Sequence, residues 1–128
     1  MTKTIIATQD APPAAGPYSQ GTAAQGFVFV SGQLPINKDT GDMPETVAEQ
    51  TQQSLDNIAA ILAAKGLSMA DVVKTTVFLT DMDKFAEMNG VYAAAFTGDA
   101  PARSAFQVVR LPKDALVEIE CIAVGGGV

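Results

Sequence analysis

A chain of 128 residues, 48% apolar and 17% charged, has the composition of a globular protein with a sizeable core and not of a disordered segment. Its formal charge of −6, with only eight Lys and Arg residues, leaves no basic stripe to meet a phosphate backbone, so nucleic acid is not an expected partner. The absence of histidine removes every Ser-His, Cys-His and His-ligated metal arrangement, and the single cysteine, Cys121, cannot close an internal disulfide.

No apolar run approaches the roughly 20 residues needed to cross a bilayer. The opening Met1-Thr2-Lys3-Thr4-Ile5-Ile6 lacks the apolar stretch and small-residue cleavage site of a secretory signal. The expected setting is cytoplasmic, with no membrane partner. Chemistry then falls to carboxylates, Tyr, Ser, Asn, Arg, main-chain groups and water. Neither a repeat nor a linker divides the chain, and the low-complexity stretches are Ala11 to Ala15 and the run Gly125-Gly126-Gly127. Residues 1–128 are therefore expected to form one unit.

A short strand is predicted near Lys3 to Ala7. The prolines of Ala11-Pro12-Pro13-Ala14-Ala15-Gly16-Pro17 withhold backbone donors and make a loop that delivers Tyr18 to a second strand. Gly26 opens Phe27-Val28-Phe29-Val30-Ser31-Gly32-Gln33, a strand apolar at both alternating phases, which must be covered on both faces. From about Pro44 to Lys65, the residues Val47, Leu55, Ile58 and Leu62 fall near one helical stripe, with Pro44 suited to the first turn and Gly66 to the C-cap. Val72 to Leu79 reads as another strand. Asp81 is the expected N-cap of a second helix running to about Phe96 and stopped before Gly98. Arg103 to Val109 and Leu116 to Val124 complete the strands, joined by a turn through Pro112, Lys113 and Asp114.

The predicted fold is α+β, a mostly antiparallel sheet with two helices on one face. In the last strand Val117, Ile119, Cys121 and Ala123 lie under the helices; Leu116, Glu118, Glu120, Ile122 and Val124 share the other face. Two helices cover only one side of a sheet that is apolar on both, so the second side is expected to pack against other copies of the chain.

Arg103 follows Pro101, which fixes the approach to its strand, so a planar five-donor fork is launched from a rigid place. It suits bidentate capture of a carboxylate, or else a surface ion pair. Glu118 and Glu120 share a face with apolar neighbours, which would desolvate a carboxylate toward general-base range; charge guarding a strand edge is the alternative. Asn89 falls between Phe85 and Tyr92 on the stripe of the second helix, where a buried amide is either a clamp to a loop or a ligand. Tyr18 and the Ser31-Gly32 pair are weaker signals, and Cys121 reads as a small core hydrophobe.

Taken together, Gly16-Pro17-Tyr18-Ser19-Gln20, Val30-Ser31-Gly32-Gln33-Leu34-Pro35, Pro101-Ala102-Arg103-Ser104, and Leu111-Pro112-Lys113-Asp114 with Glu118 after it resemble the Rid family of reactive-intermediate deaminases. The match runs in order from about Ile5 to Val124. The resemblance implies a chorismate-mutase-like fold and a homotrimer whose sheets form a central barrel, with clefts at the subunit interfaces. It also implies hydrolysis of small 2-imino acids, 2-iminobutanoate and 2-iminopropanoate, to 2-keto acids and ammonia, without cofactor or metal. Arg103 would anchor the substrate carboxylate beside Glu118, which would orient or deprotonate the attacking water, with Tyr18, Ser31, Gly32 and Asn89 lining the cleft. Many members carry cysteine two residues after the arginine. Here Ala105 stands there, so only main-chain groups of that residue are available. A non-catalytic ligand-binding or regulatory trimer is the alternative; the ribonuclease activity reported for some relatives fits poorly with an acidic chain lacking histidine.

Overall fold

The structure, a computed structural model, describes residues 2–125, so Gly126 and Gly127 of the terminal glycine run lie outside the described residues. Strands β1 (Thr4–Ile6), β2 (Gly21–Ala24), β3 (Phe27–Gln33), β4 (Val72–Leu79), β5 (Ala102–Gln107) and β6 (Val117–Val124) form one mixed sheet in the order β1-β2-β3-β6-β4-β5. Every pairing is antiparallel except β4 with β5. Helix α1 (Val47–Ala63) links the halves of the sheet, and α2 (Phe85–Ala95) makes the crossover that a parallel β4–β5 pair requires. The expected α+β architecture with two helices is what the chain adopts.

Local chemistry explains the boundaries. Ala24 pairs with Phe27, which leaves Gln25-Gly26 as a two-residue hairpin loop; both residues have positive φ, 58° and 82°, as the twist-matched turn demands. Helix α1 begins later than Pro44 suggests. Thr46 is its N-cap, its hydroxyl accepting from Glu49 N at 3.1 Å, and Pro44 stays outside with its carbonyl accepting from Gln50 Nε2 at 2.8 Å. At the far end the helix stops at Ala63 with Ala64 as its C-cap, earlier than the expected Lys65 and Gly66; Gly66 takes φ +78° in the turn that follows, and Leu67 N donates back to Leu62 O at 2.9 Å. Asp81 caps a 3₁₀ turn (Met82–Lys84) that leads into α2, so the expected single helix from Asp81 is two joined pieces.

The alternation along β6 is as read from sequence. Val117, Ile119, Cys121 and Ala123 are buried with Val28, Val30, Val77 and Leu79 beneath the apolar stripe of α1, where Leu55, Ile58, Ile61 and Leu62 are at most 2% exposed. The opposite face of the sheet carries no helix among the described residues. Ile5, Phe27, Phe29 and Phe106 stand there 45–54% exposed, with Phe78 edge-on to Phe106. Tyr18 is not in a strand: it lies in the bend before β2, because the turn closed by Tyr18 N to Gly16 O at 2.8 Å precedes the first pairing residue, Gly21.

Candidate active site

A cleft of about 740 Å³ opens beside the end of β3. Its walls are the loop from Pro12 to Tyr18, the segment from Leu34 to Gly41, the turn at Pro112-Lys113, and β6 with Glu118 and Glu120. Of the sequence-predicted residues, Tyr18, Ser31, Gly32 and Glu118 all line it. Buried amides hold the walls. Gln20, 5% exposed, accepts from Thr8 N at 2.7 Å and donates through Nε2 toward the carbonyls of Thr8, Ala11 and Pro12. Asn57 of α1 donates to the carbonyls of Leu34 and Ile36, both at 3.0 Å, fixing the opposite wall. Leaving such groups unpaired in the interior costs about 1–3 kcal/mol each, so these bonds make the walls part of the core.

The strand β3 is bulged between Val30 and Gln33, which places Ser31 and Gly32 at the cleft and out of regular pairing with β6. Ser31 is already engaged. Its hydroxyl donates to Ser19 O at 2.6 Å and its N–H donates to Gln20 O at 2.9 Å, so toward a ligand the hydroxyl can only accept. Tyr18 is the complement: its oxygen accepts from Ala15 N at 3.3 Å, which leaves the phenolic proton free to donate. Gly32 is required for space. A Cβ there would stand 2.9 Å from Glu118 Cδ and closer still to Oε2, so only glycine lets the carboxylate lie against β3.

Glu118 makes no side-chain hydrogen bond or ion pair among the described residues. Burial raises its pKa above the ordinary carboxylate value, and the negative charge of Glu120 raises it further. The turn following the cleft is strained: Lys113 and Asp114 both sit at left-handed φ, 58° and 57°, held in part by the Arg110–Asp114 pair at 3.0 Å. Cys121 is no nucleophile in this setting. Burial, then Glu120, pushes its thiol up to about 12.

Arg103 lies elsewhere. On β5 it is half-buried against α2, where Nη1 donates to Asn89 Oδ1 at 2.6 Å and Cζ sits 4.7 Å from the centre of the Tyr92 ring and 5.3 Å from that of Phe85. Asn89 is thus a clamp on the arginine side chain itself, where the sequence left open a clamp to a loop or a ligand. No carboxylate pairs with Arg103 among the described residues, which removes the surface ion-pair reading. Ala105 is two residues along β5 and points the same way, partly buried against the core.

Arg103 and Glu118 do not meet within one chain. Arg103 is in register with Thr75, whose neighbour on β6 is Cys121, so it faces the helices; Glu118 is in register with Phe78 on the open face. Thr75 and Phe78 are three apart on a regular strand, which puts them on opposite sides of the sheet. Within one chain, the arginine and the glutamate expected at one interface cleft therefore lie on opposite faces of the sheet. Sequence reasoning also passed over Gln20, Asn57 and Thr75. The placement of Phe85, Asn89 and Tyr92 on one helical stripe was the available signal for the box around Arg103.

A 2-iminobutanoate/2-iminopropanoate deaminase of Escherichia coli strain K12 is 52% identical over 127 residues, spanning 97% of this chain and 98% of the relative. A RutC family protein of Pyrococcus horikoshii is 52% identical over 94% of this chain and 97% of its own. Among solved structures, Escherichia coli TdcF with bound serine superimposes with a TM-score of 0.91 at 48% identity, covering 95% of this chain and 98% of that one. Yeast Mmf1 does so with a TM-score of 0.92 at 44% identity, over 96% and 98%. With residues 8–125 matched by the family model described as Endoribonuclease L-PSP, and with relatives of this closeness along nearly its whole length, the chain belongs to that family, the group that includes the Rid proteins.

Proposed function

We propose that this chain hydrolyses small 2-imino acids to 2-keto acids and ammonia, at sites completed between copies of the chain. Relatives about half identical over nearly the whole length bear the name of that activity. The observation that carries the reading is Arg103: a guanidinium fixed by an amide oxygen and two rings, yet with no acid paired to it among the described residues, suits a carboxylate receptor. The bound serine of TdcF is, in that protein, a small carboxylate of the same kind.

In this reading residues 1–128 act as one deaminase domain. A homotrimer closes its open sheet faces into a central barrel, supported by the uncovered aromatic side chains there. Each site takes Arg103, Asn89 and the main chain at Ala105 from one copy, and Tyr18, Ser31, Gly32 and Glu118 from the next. Arg103 holds the substrate carboxylate. Glu118, a carboxylate of raised basicity with no side-chain partner among the described residues, takes a proton from water as the oxygen bonds to the imine carbon. The Tyr18 hydroxyl is free to donate to the nitrogen as it becomes an amine. Protonated Glu118 then gives its proton to that amine, which leaves as ammonia while the carbinolamine hydroxyl returns its proton to the Tyr18 oxygen; the C=O bond forms, both side chains are restored and the 2-keto acid departs.

Imines already react with water, so each tenfold acceleration requires only about 1.4 kcal/mol; an anchored carboxylate and one placed water suffice for several powers of ten. The test is semicarbazone formation from 2-iminobutanoate generated in situ by an amino-acid oxidase. Wild type suppresses the trapped imine and Arg103→Ala does not. If neither suppresses it at unchanged oxidase turnover, the enzymatic reading fails.

A further inference from the structure

A single hydrogen bond to Asn89 leaves the Arg103 guanidinium free to swivel about that contact, so something else sets its plane. Two rings flank it, and one of them is itself fixed. The Tyr92 hydroxyl lies 2.6 Å from Thr75 Oγ1, both residues are buried (5% and 1% exposed), and the ring packs on Phe96 at 4.8 Å. Thr75 is also the β4 residue in register with Arg103. The circuit is closed: the strand that carries the arginine pairs with the strand that pins the ring lying against it.

We propose that Tyr92, pinned by Thr75, is a positioning residue that orients the Arg103 guanidinium for a carboxylate without neutralising it. The proposal rests on Arg103 being the carboxylate anchor. An acidic residue in place of the ring would hold the guanidinium as firmly, but it would compete with the incoming carboxylate. The face of an aromatic ring attracts the cation and leaves its outward N–H groups unspent. Phe85 completes the box from the first turn of α2, and its partly buried ring, farther from the guanidinium at 5.3 Å, is the weaker wall.

The experiment is calorimetric binding of 2-oxobutanoate, a carboxylate that does not turn over, to wild type, Arg103→Ala, Tyr92→Leu, Tyr92→Phe and Thr75→Val, with unfolding midpoints recorded alongside. Tyr92→Leu, which removes the ring but keeps the position apolar, weakens binding roughly fivefold to thirtyfold. Tyr92→Phe and Thr75→Val lose only the pin and weaken it alike, by about twofold to fivefold, the phenylalanine ring rescuing the rest. A Tyr92 that serves only the core lowers the unfolding midpoint and leaves the Kd of the folded variants unchanged, which overturns the proposal. Should Tyr92→Leu not fold, an unchanged Kd in Thr75→Val and Tyr92→Phe overturns it equally. Equal binding by wild type and Arg103→Ala overturns the anchor, and the positioning role with it; loss in Arg103→Ala with no loss in the other variants overturns the positioning role alone.

Discussion

Two inactive variants of this chain should repair each other. Arg103 faces the helices and Glu118 the open side of the sheet, in register with Thr75 and Phe78 respectively, so the backbone of the sheet stands between them in any one copy. A site containing both must draw on two copies joined by a head-to-tail contact. In the ring of three proposed above, an Arg103→Ala chain would supply only a good glutamate and a Glu118→Gln chain only a good arginine. Every mixed ring, whichever variant is in the majority, contains one junction at which the good arginine is followed by the good glutamate. Mixed rings therefore carry about one whole site in three. The two variants are co-expressed with different tags, purified through both, and assayed by imine trapping per mole of chain. The expected activity is about a third of wild type, against near-background activity for either variant alone. Mixed oligomers no more active than their parents would refute the division of the site between copies.

Two further outcomes follow from the cleft. Gly32→Ala forces the Glu118 side chain off β3, because the added Cβ would stand 2.9 Å from Cδ; displacement of a reacting group by about an ångström costs on the order of a hundredfold in turnover, read against an unfolding midpoint that shifts far less. Glu118 titrates above the ordinary carboxylate value of 4.5 because burial, then Glu120, disfavours the ionised form. The folded chain thus binds this proton more tightly than the unfolded one: ionisation costs stability above the raised value, and the cost vanishes below the unfolded one. Accordingly, Glu118→Gln melts higher than wild type at neutral pH, the gap closes as pH falls through 4.5, and the acidic limb of wild-type kcat/KM lies above 4.5. A limb at or below 4.5, or a gap that widens on acidification, contradicts this.

Much of the fold was legible because single-residue chemistry decides it. The positive φ of Gly66 in the turn after α1, the alternation of Val117, Ile119, Cys121 and Ala123 under the helices, and Asp81 as a cap all follow from periodicity and turn chemistry. Pro44 misled because a proline suits a first turn but does not compel one, whereas the hydroxyl of Thr46 reaches Glu49 N and fixes the start. The candidate site residues could be named one by one, Arg103 and Glu118 from their local context and Gly32, a weak signal alone, through the family resemblance. Their division between faces was not, because it depends on how β5 registers against β4 and β4 against β6, pairings made by segments distant in sequence. The roles of Gln20 and Asn57 were hidden for the same reason: an amide announces nothing until the carbonyls it serves are known.

Those amides have a consequence for how the cleft responds to its surroundings. Gln20 braces one wall, Asn57 the other, and the Ser31 hydroxyl ties β3 to the loop before β2; none of these groups ionises. Joints of this kind keep their strength across a wide span of acidity and ionic strength, where ion pairs on an exposed rim would loosen. The cleft of this acidic chain therefore holds its shape while the charges within it change. Proton uptake at Glu118 alters the chemistry of the site without reshaping the vessel around it.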